Sequence, residues 1–203
     1  MAPPAADLVP LPDLGPRVPR KRNAVTRQLS RAVLRAAGWG FDGAFPDAPK
    51  FIVAVAPHTS NWDFIVGVLA RRALGLEAYF LGKHTLFAPP LGWLMRWLGG
   101  TPVRRDVAGG VVQQVVEKFQ THDAFVLGLA PEGTRQRVTT WRTGFYHIAR
   151  GAGIPIVPVT FDYGRRRIVA APPVVPTGDL DADLAPMRTF YAAATPLKPE
   201  GAG

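Results

Sequence analysis

The sequence predicts one α/β domain, built from a largely parallel or mixed sheet with helices on its faces. Short apolar runs, rich in β-branched and aromatic residues, alternate along the chain with longer segments of helical periodicity. A hydrophobic fraction of 47% in 203 residues is sufficient for a substantial core. A basic amphipathic helix is expected to precede this domain.

The chain is expected to begin with a disordered tail over residues 1–22, because this segment is rich in proline and basic residues. Asn23 is a suitable N-cap for the amphipathic helix, which we predict over residues 23–38. Arginines recur at every fourth position of this helix, and most of its apolar residues lie on the opposite side. Two interpretations stay open: the helix lies on a membrane surface, or it packs on the domain and exposes its basic side.

The domain itself is predicted over residues 45–197 and begins with a buried apolar strand. Strands are expected over residues 51–56, 78–81, 124–129, 154–161 and 167–170. Helices are expected over residues 62–74, 90–98, 107–120, 144–150 and 186–194. The alternation of the two kinds of segment predicts a layered domain.

Composition and charge limit the classes of function. A net charge of +9 and a pI near 10.6 favour an anionic partner: a membrane surface, a phosphorylated substrate or nucleic acid. The absence of cysteine excludes disulfides, a thiolate nucleophile and a cysteine-based zinc site. The four histidines lack metal-ligand spacing, so no metal is expected. No recognised nucleic-acid-binding motif is present, so nucleic acid is not expected as a partner.

The hydropathy of the chain is used to predict where the protein is located in the cell. No apolar stretch is long enough to span a bilayer, and the N-terminal segment lacks a signal-peptide pattern. We therefore expect a cytoplasmic protein, peripheral on the inner face of the cell membrane.

A histidine and an aspartate closely follow the first predicted strand. His58 and Asp63 are separated by four residues, and Ser60 or Asn61 between them is suited to cap the next helix. Asp63 would then lie in the first helical turn, where it can accept a hydrogen bond from one imidazole nitrogen. The other nitrogen is left to take a proton from a hydroxyl. The same spacing also fits a buried histidine whose hydrogen bond is merely satisfied by a carboxylate at the start of a helix.

A second polar segment, Pro131-Glu132-Gly133-Thr134-Arg135, follows another predicted strand. Strand ends are where α/β proteins place ligand sites. Gly133 permits backbone conformations that bring amide groups close to a ligand, and Arg135 supplies a guanidinium suited to phosphate. Together with His58 and Asp63, this segment indicates a transferase that acts on a hydroxyl group near phosphate.

These segments resemble, in order, four sequence blocks of the glycerolipid acyltransferase family. The matching blocks are His58-Thr59-Ser60-Asn61-Trp62-Asp63, Gly100-Thr101-Pro102-Val103-Arg104-Arg105, Pro131-Glu132-Gly133-Thr134-Arg135 and Ile154-Pro155-Ile156-Val157-Pro158-Val159. The resemblance implies an O-acyltransferase that moves a fatty acyl group from acyl-CoA or acyl carrier protein to a lysophospholipid hydroxyl. The leading acceptor is 1-acylglycerol-3-phosphate, and no cofactor is implied beyond the acyl thioester co-substrate.

The resemblance also implies roles for individual residues. His58 is expected to act as the general base, oriented by Asp63. Acceptor and phosphate binding is assigned to Arg105, Glu132, Gly133, Thr134 and Arg135. Lys83 and Arg142 are candidates for additional cations, and Ile156 and Pro158 are expected on the acyl-donor side. Two alternatives stay open: another lysophospholipid or an amino-acid-derived lipid as acceptor, or a non-catalytic basic protein that binds membranes.

Overall fold

Seven strands form one sheet in the computed structural model, which describes residues 11–12, 14–21, 23–103, 110–133 and 141–198. The strands are β1 (Gly40–Gly43), β2 (Lys50–Val55), β3 (Ala78–Lys83), β4 (Gly100–Val103), β5 (Phe125–Leu129), β6 (Ile156–Asp162) and β7 (Arg167–Ala170). Their order across the sheet is β1-β7-β6-β2-β5-β3-β4. β7 runs antiparallel to β6 and parallel to β1, and the other neighbouring pairs are parallel. The predicted α/β class with a mixed, largely parallel sheet is confirmed.

Helices cover both faces of the sheet. They are α1 (Ala24–Ala36), α2 (Asn61–Leu74), α3 (Gly92–Trp97), α4 (Gly110–Thr121), α5 (Gly144–Ala152) and α6 (Leu180–Ala192). Buried residues of α1 and α2 pack on one face, and those of α4, α5 and α6 pack on the other. In β2, Phe51 belongs to the first cluster and Ile52 to the second, and neither side chain is exposed. Burial on both faces explains why the strands are continuous apolar runs.

The carboxyl ends of five parallel strands meet at one edge of the sheet. β2 and β5 are neighbours there, but the chain after β2 enters α2 on one face and the chain after β5 continues to α5 on the other. Loops that leave to opposite faces open a crevice between two strands, the usual position of ligand sites in such sheets. The crevice lies between the loop that carries His58 and the loop that carries Glu132.

Three elements differ from the sequence-based expectation. The prediction missed β1 and β4, because each has four residues, contains glycine and depends on pairing with a distant strand. The last helix begins at Leu180 rather than at residue 186, since the Asp179 carboxylate caps it by accepting from the Ala182 N–H at 3.1 Å. Pro186 lies inside this helix and does not mark its start.

The segment before α1 is folded where the structure describes it. Leu14 and Val18 are buried against the α1–α2 face. The backbone N–H of Lys21 donates to the Gly75 carbonyl at 2.9 Å. The prediction of a disordered tail is therefore wrong for residues 14–21, whose two apolar side chains find a place in the core. The sheet also begins before residue 45, because β1 pairs with β7.

Helix α1 packs on α2 through a side that the sequence pattern did not identify. Its N-cap is Asn23, as predicted, with the Thr26 N–H donating to the Asn23 side chain at 3.0 Å. Ser30 and Leu34 are the buried residues of this helix. The apolar stripe, defined here as Val25, Leu29 and Val33, is 75%, 64% and 42% exposed. The helix therefore packs on the domain without burying its apolar stripe.

Candidate active site

The first turn of α2 fixes the position of Asp63. Ser60 is the N-cap, and its hydroxyl accepts from the Trp62 N–H at 3.2 Å. One carboxylate oxygen of Asp63, Oδ2, accepts from the backbone N–H groups of Thr59 and Ser60, each at 2.8 Å. This is a capping box, in which the acid three residues into the helix reaches back to the cap. The local sequence therefore places one oxygen of this carboxylate, Oδ2, at the start of the helix.

His58 stands beside that carboxylate at the mouth of the crevice. Its ring nitrogen Nδ1 lies 3.3 Å from Oδ2 of Asp63. The Asp63 side chain is only 1% exposed, whereas the His58 side chain is 19% exposed. With Nδ1 turned to the acid, Nε2 is the nitrogen that can take a proton from a substrate.

Tyr163 is a site residue that sequence reasoning missed. It directly follows β6, and its hydroxyl donates to the second Asp63 oxygen, Oδ1, at 2.7 Å. Burial and the neighbouring carboxylate both raise the pKa of the Tyr163 hydroxyl, so it stays a donor. The sequence did contain one signal for Tyr163: it directly follows a buried strand. His58 is placed similarly, three residues after the end of β2.

Asp63 is ionised despite its burial. Burial by itself raises the pKa of a carboxyl, but the hydrogen bonds from His58, Tyr163 and Ser60 outweigh it and hold the pKa of Asp63 below its usual value. A buried carboxylate that keeps its charge can both fix the imidazole tautomer and stabilise the imidazolium.

Glu132 joins the two loops of the crevice. Its Oε2 accepts from the backbone N–H of His58 at 2.7 Å, and the residue is 4% exposed. Burial raises the pKa of the Glu132 carboxyl, and the hydrogen bond from His58 offsets only part of this effect. In the structure, the Glu132 side chain therefore contacts the backbone of His58. The expected contact between Glu132 and the acceptor stays a prediction.

A cavity of about 1020 Å³ opens at the site. His58, Asp63, Gly133 and Arg142 line it together with mostly apolar residues from both faces of the sheet. Gly133 has φ +65°, and a Cβ atom there would lie 2.7 Å from Cδ of Arg142. The backbone conformation at this position therefore favours glycine, and a side chain there would displace that of Arg142.

The other predicted site residues lie in several places. Arg105, Thr134 and Arg135 fall outside the described residues. Lys83 is the last residue of β3, opposite Val103 of β4, at the same edge as the crevice. Ile156 and Pro158 are buried in β6, beside β2, while Val159 and Phe161 of the same strand line the cavity. The donor-side role of Ile156 and Pro158 stays a prediction.

Comparison with known proteins places the fold and the site in a family. Residues 45–162 match the family model described as Acyltransferase, which is more than half of the chain. The chain belongs to the acyltransferase family. Within this family it is 30% identical over 114 residues to the 1-acyl-sn-glycerol-3-phosphate acyltransferase of Escherichia coli K12, covering 53% of this chain and 45% of that protein.

Two further relatives extend this likeness. The chloroplastic 1-acyl-sn-glycerol-3-phosphate acyltransferase BAT2 of Brassica napus is 27% identical over 131 residues, 60% of this chain and 35% of that one. A crystal structure of the 1-acyl-sn-glycerophosphate (LPA) acyltransferase PlsC from Thermotoga maritima shares the fold, with a TM-score of 0.57 and 20% identity. It covers 82% of this chain and 75% of that chain. The chain spans about half the length, or less, of the curated relatives it matches.

Neither a membrane-spanning helix nor a metal centre is present in the part of the chain that the structure describes. Across the described ranges, each helix is too short or too polar to cross a bilayer. Within those same ranges, no three His, Asp or Glu side chains form a group that could hold a metal ion.

Proposed function

We propose that this acyltransferase-family chain transfers a fatty acyl group from an acyl thioester, of coenzyme A or acyl carrier protein, to a lysophospholipid hydroxyl. The leading acceptor is 1-acylglycerol-3-phosphate, on which the named relatives act according to their names. One observation carries the proposal: a partly exposed His58 turns Nδ1 to a buried, ionised Asp63 at the mouth of a large apolar cavity.

His58 acts as the general base in the proposed reaction. Its Nε2 takes the proton from the acceptor hydroxyl as the oxygen attacks the thioester carbonyl. The new C–O bond forms, the C–S bond breaks, and the leaving thiolate takes the proton back from the imidazolium. Asp63 holds the tautomer and stabilises the positive charge in between. No acyl-enzyme is needed, which suits a chain without cysteine.

Different parts of the substrates are proposed to bind different parts of the site: the phosphate to cations and the acyl chains to apolar residues. Arg105 and Arg135 are proposed, from the family resemblance, to bind the acceptor phosphate. Arg142 joins them on structural grounds, since it lines the cavity beside Gly133. The apolar lining suits acyl chains. Glu132 is proposed to keep the His58 loop in place through its bond to the His58 N–H.

A panel of substrates tests the reaction. Purified protein is incubated with acyl-CoA or acyl carrier protein and with lysophosphatidate, another lysophospholipid, or no acceptor. Free thiol and acylated lipid are both measured. We expect thiol release that depends on lysophosphatidate and equals the product formed. Vesicle binding without thiol release from any pair would instead support the non-catalytic alternative.

We also propose that the chain binds the surface of an anionic membrane through α1. The apolar stripe is exposed, and Arg27 and Arg35 on the same helix are exposed as well. Exposed apolar residues beside cations suit the boundary between headgroups and acyl chains. Replacing Leu29 by Ser should weaken binding to vesicles with about 30% anionic lipid, by roughly threefold to tenfold. Val175→Ser, at a similarly exposed residue outside the stripe, is the matched control; equal losses would contradict the assignment.

A further inference from the structure

Asp63 receives hydrogen bonds on both carboxylate oxygens. Oδ2 faces two backbone N–H groups and Nδ1 of His58, whereas Oδ1 accepts from the Tyr163 hydroxyl. Three of these donors lie at Oδ2 and one at Oδ1, so the carboxylate is held through both of its oxygens. The Tyr163 hydroxyl is the donor to Oδ1, and it comes from a residue 100 positions away in the chain.

We propose that Tyr163 is a positioning residue of the acyl-transfer site, which acts through Asp63 to hold the His58 imidazole for proton transfer. The inference rests on the proposed function of the site. Tyr163 is assigned no contact with substrate. It fixes the rotation of the Asp63 carboxylate, because turning the carboxylate would break the bond to Oδ1 and move Oδ2 away from Nδ1 of His58.

Tyr163 is itself braced from several sides. Its ring packs edge-on against Trp39, with the ring centroids 5.0 Å apart. Its backbone N–H donates to the Thr195 carbonyl at 2.8 Å. Tyr163 begins the turn between β6 and β7, which is closed by the Asp162 carboxylate accepting from the N–H and Nε of Arg165 at 3.0 and 2.7 Å. A donor held in this way can orient its acceptor rather than follow it.

The charged groups around Asp63 agree with this role. His58 faces it from the loop after β2, Tyr163 from the turn after β6, and Glu132 adds a second carboxyl from the loop after β5. The Asp63 charge raises the pKa of the Glu132 carboxyl, and the donors around Asp63 offset the cost of burying its own charge.

Replacing Tyr163 by Phe removes only the hydroxyl and keeps the ring that packs on Trp39. We expect kcat for acyl transfer to fall about 10- to 100-fold, the effect of one hydrogen bond to a charged group, with little change in either KM. The matched control is Tyr146→Phe, which removes a buried hydroxyl that donates to Asp183, also at 2.7 Å, away from the crevice. This control should lower Tm and leave kcat unchanged.

A double variant tests whether Tyr163 acts through Asp63. Adding Tyr163→Phe to Asp63→Asn should cost almost nothing beyond Asp63→Asn alone, because residues in one network are not additive. Independent losses in the double variant would overturn the proposal, as would wild-type kcat in Tyr163→Phe. Trp39→Leu, which removes the brace and leaves the hydroxyl, should lower kcat by a smaller factor.

A spectroscopic measurement tests the positioning role of Tyr163 independently of acyl-transfer activity. In the ¹⁵N NMR spectrum of the full chain, we expect His58 to be a single Nδ1–H tautomer in the wild type and a mixture in Tyr163→Phe. If the wild type shows no acyl transfer, the proposed function fails, while the tautomer still tests the positioning role. An unchanged tautomer in Tyr163→Phe would overturn that role.

Discussion

Two tyrosine–aspartate pairs of the molecule have the same bond length and different surroundings. Tyr163 donates to Asp63 at 2.7 Å in the crevice, and Tyr146 of α5 donates to Asp183 of α6 at 2.7 Å. The pKa of Asp183 is lowered, first of all by the bond from Tyr146. The pKa of Asp63 is lowered too, although burial opposes it. By the bond from tyrosine alone, the two aspartates are equivalent.

The remaining partners separate the two pairs. Asp183 also accepts from the backbone N–H and hydroxyl of Thr177, at 2.7 and 3.0 Å, and so fastens the turn that leads into α6. Asp63 instead faces His58, whose ring lines an open cavity. The comparison teaches that a buried, ionised acid is structural unless one of its partners can both exchange a proton and reach substrate.

The largest expected difference between the pairs follows from replacing each aspartate by Asn. Asp63→Asn keeps the size but removes the charge that stabilises the imidazolium, so kcat should fall by about 10²- to 10⁴-fold. Asp183→Asn should lower Tm and leave kcat of the folded protein near that of the wild type. Steady-state acyl transfer and thermal unfolding are measured for both. Similar kcat values in the two variants would break the comparison.

A smaller effect is expected from the groups that hold each region in place. Glu132→Ala removes the acceptor for the His58 N–H and should lower kcat about tenfold. Thr177→Val removes the hydroxyl that donates to Asp183 and should lower Tm only.

Glu132→Gln refines this test, since it keeps an oxygen acceptor and removes a buried charge. The raised pKa means that Glu132 costs stability when ionised, so Glu132→Gln should raise Tm at about pH 8. The gain should shrink as the pH falls through the raised pKa and the wild-type carboxyl takes up a proton. A gain that is independent of pH, or a kcat as low as that of Glu132→Ala, would contradict this account.

The smallest expected effect is common to both pairs and concerns acid stability. A carboxyl whose pKa is lowered from its usual 3.8 in the fold contributes fully above that value. The contribution is lost as the pH falls through the lowered pKa. The Tm difference between wild type and either Asn variant should therefore be largest near neutral pH and shrink, by on the order of a few degrees, toward about pH 2.5. If the Tm difference stays constant across this pH range, the ionised state of these aspartates does not contribute to stability, which would contradict the account.

Sequence patterns gave the parts of the site that depend on near neighbours. The step from Ser60 to Asp63 is a capping box that can be read directly, and it places Asp63 beside His58. Tyr163 and Glu132 reach the site across 100 and 74 residues of chain. Their contacts depend on the order of strands in the sheet, which periodicity does not specify. Glu132 was assigned to the acceptor by resemblance, and its backbone contact with His58 could not be anticipated.

In the fold too, elements that depend on the local sequence were predictable, and elements that depend on distant residues were not. The strands that are buried on both faces were predicted because their sequences are continuously apolar. β1 was missed because its formation depends on β7, far along the chain. In α1 the sequence pattern indicated the apolar stripe as the apolar side of the helix and left Leu34 among the arginines. In the structure Leu34 is buried and the stripe is exposed. A single helix does not reveal which side its neighbour will cover.

The most direct test of the central claim measures acyl transfer without the imidazole at position 58. Thiol release from acyl-CoA in the presence of lysophosphatidate is compared for wild type, His58→Ala and His147→Ala, the last at an exposed histidine on α5. The initial rate should fall at least about 100-fold in His58→Ala, with Tm little changed, and stay near wild type in His147→Ala. A His58→Ala protein that is folded and transfers acyl groups at the wild-type rate would contradict the account.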